Sequence, residues 1–401
     1  VTKGFARWRV SYGGQMAAQG QRRGVPGVLN GVALVAFLDT FAMLPVLAPY
    51  AHRLGASEAE AGFLLGAYSL ANLLASAGSG MLLDRLGRRL PMALSLIVAA
   101  VLIALYGVVS SPEMLLLVRS LHGASSAVFI PAMFVLIGEH GHANRVWAMG
   151  RTGAIIGLVA LIAPPLGGMV ADRYGERALF MGIALLMGFT GMIAWLGLPA
   201  ESYRPPRGES IHPLQVLRLP TLWSNFVLTF GLTFGMGMLT YRLPVMLQQA
   251  GYDAAYRGRL FGLFALMAIG VMLAVRRRAV LGGARARAML GLGLIAVGSV
   301  MLEGWSLPSG VWSAVLLFGV GFGLGFPAVH LLTYEGVEAH QRGTAFALLY
   351  AFYSLGYVLG PTSAGLAAER FPAGLVAALV VGVSLLVALG MGWRQGVYSQ
   401  R

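Results

Sequence analysis

The sequence contains no cysteine, which excludes thiolate nucleophiles, iron–sulfur ligation, c-type haem attachment and disulfides. Its one lysine is Lys3. No Gly-Lys-Ser/Thr nucleotide loop can be built without another, and no lysine lies in the apolar region to form a Schiff base, so ATP-driven pumping and retinal chemistry are excluded. Charge is scarce too: Asp, Glu, Lys and Arg make up 11% of 401 residues, against about 25% in soluble domains. Neither G-x-S-x-G nor H-E-x-x-H occurs, so the common hydrolase signatures are missing. What fills the chain is apolar, 57% of residues with mean hydropathy +0.75. Such a chain belongs in a bilayer, where a helix of about 20 apolar residues crosses about 30 Å of hydrocarbon.

Apolar runs recur at about 28–50, 60–83, 90–110, 112–138, 148–171, 177–198, 221–250, 257–275, 286–304, 309–334, 343–368 and 372–393. The expected fold is therefore an all-α membrane protein of twelve transmembrane helices. Taken on alternate sides, Arg53, Arg173, Arg177, Arg257, Arg259 and Arg370 fall with one set of loops. Arg119 and Arg242 fall within spans, and the remaining basic residues fall with the termini and the other loops. The positive-inside rule then puts both termini in the cytoplasm and accounts for the net charge of +14 without nucleic acid. Residues 1–27 are basic and lack a signal-peptide core, so they read as a cytoplasmic tail, with Met16 an alternative start. A bacterial-type inner membrane is the expected location.

The longest polar interval, 199–220, divides the spans six and six. It reads as a cytoplasmic linker between an N-lobe, 28–198, and a C-lobe, 221–394, with a short tail at 395–401. Self-comparison agrees. A shift of 197 superposes Arg145 on Arg342, Pro164 on Pro361, Gly168 on Gly365 and Ala171-Asp172-Arg173 on Ala368-Glu369-Arg370. Shifts of 199 and 196 match Leu44-Pro45-Val46 to Leu243-Pro244-Val245 and GFLLGAY (62–68) to GRLFGLF (258–264). An even number of crossings separates the copies, so the lobes are parallel, pseudo-symmetric repeats, an arrangement that places a substrate site between them at midplane.

Asp39 is the only carboxylate deep within any of these runs. It lies about 17 Å from the cytoplasmic face and Arg119 about 10 Å from the other, at ~1.5 Å of rise per residue. The two sit near one depth, and an Asp39–Arg119 ion pair is geometrically possible. Arg119, His122 and Ser126 are three and seven apart and share a helix face, a stripe too polar to face lipid. A change in the separation of Asp39 from Arg119 would switch the proton affinity of the carboxylate. Asp39, Arg119 and His122 are thus the proposed proton-coupling residues, with a static brace as the alternative. Arg242 is expected to face a cavity headgroup or to snorkel. Phe226, Phe230 and Phe234, then Phe318, Phe322 and Phe326, then Tyr353 and Tyr357 recur every four residues. Of these, Phe230, Phe234, Tyr353 and Tyr357, with Arg242, are the candidate substrate-cavity residues; packing faces are the alternative. The loop GEHGH (138–142) and Glu335, Glu338 and His340 match no metal-site spacing. No metal and no cofactor other than the proton is expected.

Three motifs carry a resemblance. GMLLDRLGRR (80–89), with Gly80, Asp84, Arg85, Gly87, Arg88 and Arg89, resembles the G-x-x-x-D-R-x-G-R-R signature of the major facilitator superfamily. LLLVRSLHGASSA (115–127) resembles its R-x-x-Q-G signature, with His122 in place of glutamine. GAIIGLVALIAPPLGGMVADR (153–173), with Gly157, Pro164, Pro165, Gly167 and Gly168, resembles the span-5 motif of the twelve-span drug:proton antiporters, and Gly360-Pro361 echoes it on span 11. The resemblance implies a monomeric secondary transporter that rocks its lobes, a cytoplasmic latch at 80–89, and proton-coupled export of an amphipathic or apolar small molecule. Export of sugars, lipids or a metal ion on the same scaffold, or a non-transporting membrane sensor, stays open as an alternative.

Overall fold

The computed structural model describes residues 25–140, 145–198, 219–277, 283–304, 309–338, 341–368 and 371–398. The basic tail through residue 24, the linker through residue 218, the loop 278–282, His142, His340 and Glu369 lie outside the described residues, as do the side chains of Gly80, Asp84, Arg85, Glu139 and His140.

Every regular element is helical. In chain order the helices are α1 (Val25–Ala42), α2 (Leu47–Arg53), α3 (Glu58–Leu86), α4 (Arg89–Tyr106), α5 (Pro112–His140), α6 (Arg145–Tyr174), α7 (Glu176–Gly197), α8 (Pro220–Gln249), α9 (Ala254–Arg277), α10 (Ala284–Gly304), α11 (Ser309–Glu335), α12 (Arg342–Ala368) and α13 (Ala373–Tyr398). Among the described residues, eleven of them are long and apolar enough to cross a membrane. α3 has the length as well, 29 residues.

The first apolar run is broken where one continuous helix was expected. Residues 43–46, around Pro45, form a turn between α1 and α2; a proline removes one backbone N–H, but the matching Pro244 stays inside an unbroken α8. α3 starts at a capping box: Ser57 Oγ accepts from the Glu60 N–H at 3.3 Å and Glu60 Oε2 accepts from the Ser57 N–H at 2.8 Å. It stops at Gly87, whose φ of 73° suits glycine. Prolines lie inside α5, α6, α8, α11 and α12. Lipid offers no hydrogen bonds, so buried hydroxyls are satisfied within their helices, as where Thr229 donates to the Asn225 carbonyl at 2.8 Å and Thr333 to Val329 at 2.8 Å.

In the first half of the chain α5 packs on α3 and α4, and α4 on α7; in the second, α8 packs on α12 and α13, α10 on α11 and α13, and α9 on α11. Two extensive contacts join the halves, α3 with α12 and α6 with α9. The sequence repeat carries α3 onto α9 and α6 onto α12, so it exchanges these two contacts with each other, as a twofold relation requires.

Candidate functional site

Asp39, on α1, is 1% exposed. Its charged neighbour is His122 rather than Arg119: His122 Nε2 lies 3.2 Å from Asp39 Oδ2, with both side chains shut off from solvent. Arg119 points elsewhere. Its guanidinium sits 4.5 Å from the centre of the Tyr68 ring and donates to the Tyr106 hydroxyl at 3.4 Å. That hydroxyl is 3.0 Å from His122 Nδ1. A guanidinium only donates, so the Tyr106 oxygen accepts from Arg119, and it faces His122 Nδ1 as donor or acceptor according to the imidazole tautomer. The direct ion pair is thus replaced by a chain of contacts, Arg119 to Tyr106 to His122 to Asp39.

The relay is tight at one end and loose at the other. The Asp39–His122 contact is not an aligned hydrogen bond, and Asp39 Oδ1 has no partner. The surrounding frame is firm. Ser126 Oγ accepts from the Tyr68 hydroxyl at 2.7 Å and donates to the His122 carbonyl at 3.0 Å, and the Tyr50 hydroxyl donates to the Tyr106 carbonyl at 2.6 Å. α3 and α5 approach closely enough that a β-carbon on Gly123 would collide with the Tyr68 carbonyl. Spacing along α5 found Arg119, His122 and Ser126. It missed Tyr68 and Tyr106, which stand on other helices.

The span-5 motif and its echo form the seam between the halves. β-Carbons on Gly168 and Gly258 would strike the Ala254 and Pro164 carbonyls. At the repeat-related positions, β-carbons on Gly365 and Gly62 would strike the carbonyls of Glu58 and Pro361. Gly167 abuts the Ala42 carbonyl on α1, Pro165 packs near Gly262, Gly157 faces Ile269, and Gly360 abuts the Phe234 carbonyl on α8. Asp172 closes the α6–α9 contact: its Oδ1 accepts from the Ala254 N–H at 2.9 Å and its Oδ2 from the Ala255 N–H at 2.6 Å. A carboxylate on the first turn of α9 also complements the helix dipole. The contacts of Gly168, Gly258, Gly62, Gly365 and Asp172 lie at one end of the helices, and those of Gly157 and Gly360 nearer their middle. Two turns from the opposite ends, Gly78, Gly153 and Gly270 have nothing within 4 Å of an added β-carbon.

The proposed cavity residues divide. Arg242 is not offered to a ligand, nor does it snorkel: its Nε and Nη2 donate to Glu303 Oε1 and Oε2 at 2.6 and 2.9 Å. Glu303 Oε1 also accepts from the Gly374 N–H at 3.2 Å, so the pair braces α8, α10 and the start of α13. Phe234, 4% exposed, is packing between α8 and α12 with Phe230 beside it. Phe226 is stacked on Phe352 and buried, and Phe318 is buried as well. Tyr353 and Tyr357 are half-buried, rings 5.0 Å apart, and Tyr353 meets Phe326 of α11. His330 extends that row: its Nδ1 donates to the Phe326 carbonyl at 2.7 Å and its Nε2 is 3.4 Å from the Tyr350 hydroxyl. Four residues beyond Phe326, His330 could have been found by continuing the stripe.

At the 80–89 loop, Gly87 ends α3, Arg88 precedes α4 and Arg89 stacks on Trp195 of α7 at 4.7 Å. That contact stays within the first half of the chain. The two residues best suited to a latch, Asp84 and Arg85, have side chains outside the described residues. Among the described residues, no group of three or more His, Asp or Glu is placed to hold a metal ion.

The helical fold has two repeat-related contacts between its halves and a buried polar cluster, and comparison with known proteins gives the family. The sequence model of the Major Facilitator Superfamily matches residues 29–361, and the chain belongs to that superfamily. It is 30% identical over 365 residues to the inner membrane transport protein YajR of Escherichia coli strain K12, covering 86% of this chain and 77% of that one. It is 25% identical over 364 residues to the multidrug resistance protein MdtG of Salmonella arizonae, covering 86% and 89%. In fold it is similar to the nucleoside transporter NupG (TM-score 0.80, 13% identity, 92% and 99% of the two chains). It is also similar to a bacterial homologue of the lysosomal transporter Spinster in an inward-facing, occupied conformation (TM-score 0.73, 18% identity, 92% and 96%). The chain is an integral membrane transporter of a transport family rather than an enzyme family.

Proposed function

We propose that this transporter is a monomeric, proton-coupled exporter of amphipathic or apolar small molecules. It works by alternating access between two six-span lobes, with both termini in the cytoplasm. The observation that carries the reading is the buried relay ending at Asp39, whose Oδ1 is bare. A carboxylate with one free oxygen, set beside an imidazole, is a landing place for a proton. Its side chain is closed to solvent here, so protons reach it in another state of the cycle, which is what coupling to lobe movement needs. Relatives named multidrug resistance proteins support export of such compounds. The seam, tight at the end that the arginine distribution assigns to the outside and loose at the other, supports a resting state open toward the cytoplasm.

In proteoliposomes with an imposed pH gradient, the wild type should concentrate a hydrophobic dye against its gradient. Asp39→Asn should keep dye binding and exchange down a gradient but lose the proton-driven accumulation. Undiminished accumulation by Asp39→Asn would remove Asp39 from the mechanism.

A further inference from the structure

At the tight end of the seam, on α2, stands a histidine that the relay does not use. His52 Nδ1 is 3.0 Å from the Ala56 carbonyl. A carbonyl only accepts, so Nδ1 carries the hydrogen, and in the neutral ring Nε2 is a bare lone pair. Nε2 is buried without a hydrogen-bond partner, and what it faces, 3.7 Å away, is Glu58 Oε2. Two acceptors thus confront each other with no hydrogen between them.

The carboxylate is also the point where the halves are tied. Glu58 begins α3, while Tyr241 and Gln249 lie on α8. The Tyr241 hydroxyl donates to Glu58 Oε2, and also reaches the Glu58 carbonyl at 2.9 Å. Gln249 Nε2 donates to Glu58 Oε1 at 3.2 Å. The Tyr241 ring lies 6.3 Å from the His52 ring. Among the other charges at this end, Arg53 is paired with Glu176, Arg242 is paired with Glu303 while also attracted to Glu58, Glu60 caps the Ser57 N–H, and Arg257 is buried near Arg53 with Nε and Nη1 unpartnered. The Tyr50 hydroxyl is turned to Tyr106.

We propose that His52 and Glu58 form a second proton-binding site, separate from Asp39, whose filling holds the tight end of the seam shut. A proton on His52 Nε2 turns the facing acceptors into a charge-assisted hydrogen bond. It joins α2 to the Glu58 carboxylate that already hangs from α8. Loss of that proton restores the two opposed lone pairs and loosens the tie. The proposal rests on the transport reading only in that opening of this end is taken as a step of the cycle.

The absence of cysteine permits a direct test. Spin labels at Ser110→Cys and Ser309→Cys, on exposed or half-exposed positions of the two halves at this end, report its separation in the full-length protein in detergent. Between pH 8 and pH 5.5 the closed-to-open ratio should rise about fivefold, the effect of one charge-assisted bond at a partly exposed site. In an Asp39→Asn background, which removes the contribution of that carboxylate, a rise should remain. Adding His52→Gln or Glu58→Gln to that background should abolish it, each checked for folding by its melting curve; either variant suffices if the other is unstable. A pH response that survives in the folded variants, that vanishes in Asp39→Asn, or that is missing from the wild type overturns the proposal. Absence of dye flux would reject the exporter reading and leave this distance measurement untouched.

Discussion

Tyr106 carries more of the relay than its place at the end of α4 suggests, because one hydroxyl satisfies both Arg119 and His122. Tyr106→Phe removes that oxygen, stranding two buried nitrogens. The cost is expected to be about 1–3 kcal/mol, read as a lowered melting temperature, with reduced proton-driven accumulation at unchanged dye affinity. A variant that melts and transports like the wild type would mean that the hydroxyl is not a link. Asp39, Arg119 and His122 were legible in the sequence as one site, since charges in a span are few and depth can be counted. Their pairing was not. Depth is fixed by rise along a helix, but partner choice depends on rotation of each helix about its own axis, which spacing within one helix does not report. That rotation turns Arg119 to Tyr68 and leaves the imidazole facing Asp39.

Two elements, α6 and α12, act as rails on which the halves meet, and their glycines explain why the repeat was visible. Gly168 and Gly365 match under a shift of 197 because each faces the first carbonyl of the opposing helix, at Ala254 and Glu58. Neither site has room for a side chain. Gly168→Val and Gly365→Val should therefore have matching effects: overpacking of about 1–3 kcal/mol that opens the tight end, measured by the Ser110/Ser309 label distance. Unequal effects would argue against a twofold seam. Asp172 does a neighbouring job by capping α9. Asp172→Ala should cost about 1 kcal/mol and move the same distance distribution toward open. The Arg242–Glu303 brace was not legible at all, since Glu303 lies at a span end where a carboxylate is unremarkable. Removing Arg242 alone leaves a mostly buried carboxylate, so Arg242→Met should be less stable than the double variant Arg242→Met with Glu303→Leu. Equal melting temperatures would make the pair a bystander.

For the whole molecule, under the proposed alternating access the exchange of α3–α12 with α6–α9 lets one rocking motion open both contacts at one end and shut both at the other. No separate lid is needed. The composition of α3 follows from this position: set between α5 and α12, it gains little from being apolar all round and carries Ser69, Asn72, Ser76 and Ser79. If the state seen here is open at the loose end, water should reach Gly153 and Gly270, whose surroundings are empty. Gly153→Cys and Gly270→Cys, the only thiols in their chains, should react quickly with a membrane-impermeant maleimide applied from the cytoplasmic side of inverted vesicles. Adding Asp172→Ala, which weakens closure of the far end by about 1 kcal/mol, should slow that reaction up to about fivefold as molecules shift to the opposite state. Unchanged labelling with Asp172→Ala would mean that the two ends move independently, and that the repeat-related contacts serve stability rather than alternation.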